Sequence, residues 1–592
     1  MQTRSLAKDR LPRSLVQTYA DYSFTAEDHS FAFAYDSTSD WSTVTQHAQA
    51  LLQDWISPLE RRDTRLAAQE MEFMRKLGVC WRDRGLGTLY TADPATLSCS
   101  NAAQARHLRP YLANIGRRYA SAVAALDDST LKKLFDGGRV VIAKGKGAPY
   151  FFPGSDRVAA FALAKLAEGA TSYDDIADRT QSAGSARLPF CQTSYIRIQS
   201  AAKPTPAYAV VGGDLQSVGE RYGPKVRRIG AQPFVINHLW APAGAVLRAV
   251  MTMIDDRNTG TFEPAARLGK AYRYAIALDL ASYDTTVALE TLRAFTEVVT
   301  APFLHALVIR GMMSRASASL LLDIAHHTDT MPILMPPRRT SEAAYLADAA
   351  GQTRSGINWT SIIGTVVNRC LCDLRRKETA SGGEFINYGD DTIGFTNDAR
   401  DIQRWADAPT LGGFNVTIAP DATFLMRRVP DGYSYLGRML MGCIDREKAH
   451  EPQSIVAATA AFATRAALLV GHPAYAAFDQ WLASTPGPAR LRQAALSARS
   501  AGPTRAVALT SMAAALTRGL PSALEDQTKA MQSLVANPNI PASLRNAAIA
   551  LEARLEAQAI TERTNMTWVT FQSEVKSMSR DAAIGYIRSH AY

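Results

Sequence analysis

Cysteine is scarce and unpatterned in this chain of 592 residues. The six are Cys80, Cys99, Cys191, Cys370, Cys372 and Cys443, and none forms a C-x-x-C pair. That excludes a zinc ribbon or a disulfide scaffold as the organising device. Cys370 and Cys372 lie in a helical pattern and read as buried free thiols. No uninterrupted apolar run reaches about 18 residues, which argues against a membrane span. The start, Met1-Gln2-Thr3-Arg4-Ser5, leads into Arg-rich polar sequence and not into the apolar core of a secretory signal. Internal repeats and long low-complexity tracts are missing too. These absences together predict a reduced, soluble, intracellular protein.

What is present is a large apolar share and a lopsided basic set. Hydrophobic residues make up 47% of the chain and charged residues 20%, enough to bury a large core. At roughly 150 residues per domain the length suggests three to four domain-sized units. The net charge is +10, carried by 51 Arg and only 14 Lys. Such an excess fits a polyanionic partner, and Arg suits bidentate phosphate contacts. Residues 1–130 read as mostly helical, with segments such as Trp41–Trp55 and Arg65–Leu77. Short strands and Gly-rich turns follow from about residue 138, including Arg139–Ala143 and Tyr195–Ile198. A helix is expected around Ala243–Ile254, then an apolar strand over Tyr272–Leu280. Beyond about residue 453 the chain is Ala-rich and helical, broken by prolines.

Three segments carry the chemistry. The strand Tyr274–Leu280 holds an acid at Asp279, and a second acid, Asp284, follows as a helix begins at Thr285. An aspartate at the end of a buried strand is costly unless something positive meets it, and a divalent cation is a natural partner. As a plain helix cap, Asp284 needs no cation. Next, Ser355-Gly356 and Thr360 open an apolar helix through Ile362, Ile363, Val366, Val367 and Leu371. Its N-terminus presents free N–H groups to an anion or a sugar. Last, Phe385–Tyr388 and Thr392–Phe395 flank Gly389-Asp390-Asp391, a hairpin pattern with adjacent acids at its tip. Alone this tip is an ordinary turn; adjacent acids repel unless a cation shares them, and Mg²⁺ takes oxygen ligands while keeping positions for substrate phosphates.

In this order the segments resemble the palm of viral RNA-dependent RNA polymerases. Asp279 and Asp284 match the first palm motif, Ser355-Gly356 and Thr360 the second, and Gly389-Asp390-Asp391 the third. Pro224-Lys225-Val226-Arg227-Arg228-Ile229 resembles the basic fingers motif, and Tyr435–Leu440 the junction of palm and thumb. Arg228–Phe234 with Asn237, the Asp284-Thr285 step and the tail from Trp568 to Ser589 resemble the polymerases of cystoviruses, the double-stranded RNA phages. Partitivirus and picobirnavirus enzymes share the pattern Ser355-Gly356, Thr360, Gly364, Asn368.

The resemblance implies an α+β right-hand polymerase closed by fingertips. Fingers and fingertips would span 1–235, with an N-terminal helical part that reaches toward the thumb. The palm, with an antiparallel sheet, would span 236–455 with a fingers insertion at about 290–350. The thumb would span 456–535 and a helical initiation domain 536–592. It implies nucleotidyl transfer with two Mg²⁺ ions, with Mn²⁺ also admitted. Asp279, Asp390 and Asp391 with the Leu280 carbonyl would hold the catalytic ions; Asp431 with Asp391 could serve a structural Mn²⁺, although Asp431 reads more readily as an exposed turn aspartate. Lys225, Arg227 and Arg228 would bind the triphosphate; Asp284, Ser355, Gly356, Thr360 and Asn368 would contact the nucleotide. Trp568 would be the platform for primer-independent initiation. Partners would be template RNA, single- or double-stranded, NTPs and viral inner capsid proteins, with no membrane and a monomeric polymerase. The place of action would be the virion interior and the host cytoplasm.

Two departures stand out. Many positive-strand enzymes carry Asn four residues after the Thr of the second motif, where this chain has Gly364. The Lys proposed elsewhere as general acid would fall near Ala419–Asp421, where none occurs. Two other readings remain open: a reverse transcriptase, which shares the palm acids, and a non-catalytic RNA-binding or capsid-associated protein.

Overall fold

The computed structural model describes residues 3–5, 56–76, 97–138 and, with short interruptions, 163–435. The expected thumb and initiation domain, the strand Arg139–Ala143 and the helix Trp41–Trp55 lie outside the described residues. So do Ser355, Gly356 and Trp568.

The fold mixes helices and mainly antiparallel sheet. The strands are β1 (Thr3–Ser5), β2 (Gln192–Gln199), β3 (Pro204–Val211), β4 (Asp214–Tyr222), β5 (Lys225–Ala231), β6 (Tyr274–Leu280), β7 (Ile333–Met335), β8 (Tyr345–Ala347), β9 (Glu384–Tyr388), β10 (Asp391–Thr396), β11 (Val416–Ala419), β12 (Thr423–Phe424) and β13 (Arg427–Arg428). One sheet runs β1-β8-β7-β2-β5, gathering distant parts of the chain, with only the β2/β7 pair parallel. A second, wholly antiparallel sheet runs β11-β6-β10-β9.

The helices include α1 (Thr64–Lys76), α2 (Ala102–Ala125), α3 (Asp128–Gly138), α4 (Tyr173–Gln181), α5 (Phe234–Ile254), α6 (Glu263–Ala271), α7 (Tyr283–Thr286), α8 (Leu289–Ile309), α9 (Arg315–Thr328), α10 (Thr360–Thr379) and α11 (Ala399–Asp407). α5 starts well before the Ala243 expected from sequence, because Phe234, Val235, Ile236 and Trp240 continue its buried face. α5 and α8 are each 21 residues and apolar enough by length and composition to cross a membrane. Most of that apolar surface is instead buried, in a core that also takes side chains from α2, α3, α9 and α10. α8 carries a π-helical turn, Thr296–Thr300, where it passes α2.

The four-stranded sheet is covered on both faces, as its near-continuous apolar strands require. Leu278, Phe385, Cys372 and Trp405 pack on the side of α10 and α11. Ile386, Ile393 and Phe395 pack on the other side with Phe262, Ala265, Phe424 and Val429. α10 fits between sheet and helical core because Ile362, Ile363, Val366, Val367, Cys370, Leu371 and Leu374 recur at helical spacing and are buried.

Candidate active site

β6 and β10 bring the acids together. Their antiparallel register sets Asp279 directly opposite Asp391, and Leu278 opposite Thr392. Directly opposed residues have Cβ atoms about 4.5–5.5 Å apart, a spacing at which like charges are unfavourable. Asp391, not Asp390, is therefore the cross-strand neighbour of Asp279. Asp390 occupies the two-residue turn between Tyr388 and Asp391, after Gly389 at φ +62°. This is the Gly-X connection that matches hairpin twist. Asp390 is half-buried, and it has no ion pair or side-chain hydrogen bond among the described residues.

Asp284 sits inside the first turn of α7, and Ser282 precedes that helix in a left-handed conformation, φ 52°. Asp284 is thus not the cap, and α7 is only four residues long. Its main-chain carbonyl accepts from the Thr353 N–H at 2.9 Å, and the Thr353 hydroxyl reaches its Oδ1 at 3.4 Å. Next to Asp284 in the chain is Tyr283, buried at 2% exposure. Its hydroxyl donates to the Gly364 carbonyl at 2.6 Å. Burial first, then the charges of Asp284, Cys370 and Asp390, hold its pKa well above the ordinary range.

α10 braces the hairpin. The Gly389 N–H donates to Thr365 Oγ1 at 2.9 Å, and Asn368 Nδ2 donates to the Gly389 carbonyl and to Thr392 Oγ1, both at 2.8 Å. Asn387 Nδ2 returns to the Thr365 carbonyl at 2.8 Å. Asn368 is 2% exposed. Its amide is engaged within the protein, at the hairpin turn and at Thr392. Thr360 likewise donates its hydroxyl to the Arg354 carbonyl, and so ties together the two ends of the segment that contains Ser355 and Gly356. Trp359 anchors that closure on Trp240 of α5, ring centroids 4.4 Å apart.

Other expected site residues lie elsewhere. Lys225, Arg227 and Arg228 are on β5, the edge strand of the other sheet, where Arg227 is in register with Arg197 and Lys225 with Gln199. Asp431 forms an ion pair with Arg428, whose guanidinium also reaches Asp63 at 3.4 Å. That pairing gives Asp431 a partner other than the Mn²⁺ foreseen for it. The cysteines follow expectation where they are described: Cys370 and Cys372 are buried and free, and burial pushes the Cys372 thiol up to about 12.

Among the described residues, no three Asp, Glu, His or Cys side chains are gathered closely enough to hold a metal ion by themselves. The donor set nevertheless fits a hard cation. It offers only oxygens, and two carboxylates stand directly opposite each other on adjacent strands. Mg²⁺ is commonly held by one or two carboxylates plus substrate phosphates and water, without an all-protein cage.

The sequence reading passed over Tyr283, Thr353, Thr365, Asn387 and Thr392. The available signal was polarity in apolar places: Thr365 and Asn368 fall on the buried stripe of α10, where a polar side chain requires a partner.

No family model and no curated protein matches the chain. Among solved structures it is similar to the RNA-dependent RNA polymerase of bacteriophage phi12, at 14% identity and a TM-score of 0.41. That match covers 76% of this chain and 71% of the other. It is also similar to the RNA-dependent RNA polymerase of a human picobirnavirus, at 13% identity and a TM-score of 0.47, over 95% of this chain and 100% of the other. An insertion-loop deletion mutant of the latter gives 12% identity, a TM-score of 0.46, and coverage of 93% and 100%.

Proposed function

We propose that the chain is an RNA-dependent RNA polymerase of a double-stranded RNA virus. The observation that carries this reading is the in-register opposition of Asp279 and Asp391, beside a Gly389-Asp390 turn braced by the helix that follows Thr360. A carboxylate pair of that kind at the end of two adjacent strands is a place to gather phosphates through cations.

Asp279, Asp390 and Asp391, with the Leu280 carbonyl, would hold the divalent ions. When bound, such ions neutralise phosphate charge and lower the pKa of an attacking hydroxyl. Phosphoryl transfer depends more on positioning than on covalent chemistry. The protein's own part is then to fix the acids, orient the ribose beside Asp284 and guide the triphosphate with Lys225, Arg227 and Arg228. Initiation without a primer on Trp568, action inside an inner capsid, and thumb and initiation domains after residue 455 belong to the same proposal.

Unprimed synthesis on single-stranded RNA tests it. The parent should give template-length complementary strands from NTPs in Mg²⁺ or Mn²⁺ and discriminate against dNTPs; a preference for dNTPs would instead indicate a reverse transcriptase. Asp390→Ala should abolish incorporation and leave RNA binding largely intact, since it removes an acid and no basic group. Continued polymerisation by Asp390→Ala would refute the site. Trp568→Ala should weaken unprimed starts and spare extension of a preformed duplex.

A further inference from the structure

Gly389 is the backbone-labile residue immediately before Asp390, and both its polar main-chain groups are held from one helix. Its N–H is taken by the Thr365 hydroxyl and its carbonyl by the Asn368 amide. Neither holder is itself loose. Thr365 is fully buried and donates its hydroxyl proton to the Ser361 carbonyl at 2.6 Å, leaving an oxygen lone pair for Gly389. Asn368 spends its second amide hydrogen on Thr392 Oγ1, and its Oδ1 accepts from the Cys372 thiol at 3.8 Å, so the amide has one orientation. One turn earlier, the Gly364 carbonyl accepts from Tyr283, the neighbour of Asp284. A stretch of five residues of α10, Gly364 to Asn368, thus contacts both acid-bearing segments.

We propose that Thr365 and Asn368 are positioning residues that set the direction of the Asp390 carboxylate, and thereby the affinity of the site for a divalent cation. The proposal rests on the polymerase reading for its purpose, but its physical claim concerns cation binding alone. A glycine with both peptide groups free can swing its neighbour's side chain; a glycine tied at both groups cannot. Partners that orient metal ligands are typically worth about 10- to 100-fold in metal affinity or activity.

The test uses the full chain and Mn²⁺ alone, read from the electron paramagnetic resonance signal of the free ion, with melting followed in parallel. Thr365→Val and Asn368→Leu, close in volume to the parent residues, should weaken Mn²⁺ binding about tenfold or more at temperatures well below their melting points. Thr365→Ser keeps the hydroxyl and should bind within about twofold of the parent. Should Asn368→Leu fail to fold, Asn368→Ala takes its place. Unchanged Mn²⁺ affinity in the Thr365 and Asn368 variants, where Asp390→Ala loses it, overturns the proposal. Parent-like Mn²⁺ binding by Asp390→Ala overturns it as well, by removing the site. Weakened binding in the two variants of a chain that incorporates no nucleotide would sustain the positioning role and refute the polymerase reading.

Discussion

At the scale of single residues, the site depends on polar groups placed where burial makes them expensive to lose. Tyr283→Phe removes the hydroxyl that donates to the Gly364 carbonyl and should cost about 1–2 kcal/mol, seen as a lower denaturant midpoint at unchanged m-value. Asp329, at the end of α9, behaves differently. Burial pushes its carboxyl up to about 7, against the opposing charges of Arg354 and Arg293. Because this folded-state value lies above the ordinary 3.8, the unfolded chain releases its proton first as pH rises. The Asp329 contribution is therefore fully present below about pH 4, declines toward pH 7 and then levels. Asp329→Asn should flatten that part of the stability profile, measured by urea unfolding at a series of pH values.

At the scale of elements, close backbone crossings set the frame. A Cβ at Gly116 of α2 would lie 1.8 Å from the Val298 carbonyl oxygen in the π-helical turn of α8. The obstacle is main chain, so Gly116→Ala should destabilise by about 1–3 kcal/mol or more, the range of overpacked cores. At Gly364 of α10 the nearest atom to such a Cβ is Tyr283 Cε1 at 3.5 Å, ordinary contact. Gly364→Ala should accordingly raise the melting temperature, with a helix-propensity gain of up to about 1 kcal/mol. This scale also shows what could be read beforehand. β6, α10 and the β9–β10 hairpin were legible because each carries its own periodicity and punctuation: an apolar run, an i, i+4 stripe, a Gly in the turn. The five-stranded sheet was not. Its strands β1, β7 and β8 are three residues each, and two of its pairings join distant parts of the chain, Thr3 with Ala347 and Gln192 with Ile333, which no local pattern encodes. For the same reason the register that faces Asp279 with Asp391 was not legible in the sequence.

At the scale of the molecule, early sequence is built into late structure. Gln104 of α2 donates to the Thr286 carbonyl at 2.9 Å and accepts from Ala288 N–H and Thr291 Oγ1, both at 2.8 Å. The Tyr433 hydroxyl donates to Glu70 of α1 at 2.6 Å. The N-terminal helices are thus structural members of the body that holds the acids. Gln104→Leu should lower stability by about 1–3 kcal/mol, the cost of leaving buried partners unmade, and should lower nucleotide incorporation with it. The net charge of +10 acts on the same scale. RNA binding should weaken linearly in log–log form with salt, at a slope of about −0.7 per phosphate neutralised on a single strand. Asp390→Ala should leave that slope unchanged, since it removes an acid and no cation.

The turn before Asp390 asks for handedness more than for smallness. A Cβ at Gly389 would meet nothing within 4 Å, yet its φ of +62° belongs to the mirror half of backbone space. A D-alanine introduced there by chemical ligation would match that geometry, whereas L-valine would oppose it. The tip of the acid hairpin is therefore a position where chirality, not volume, is the selected property.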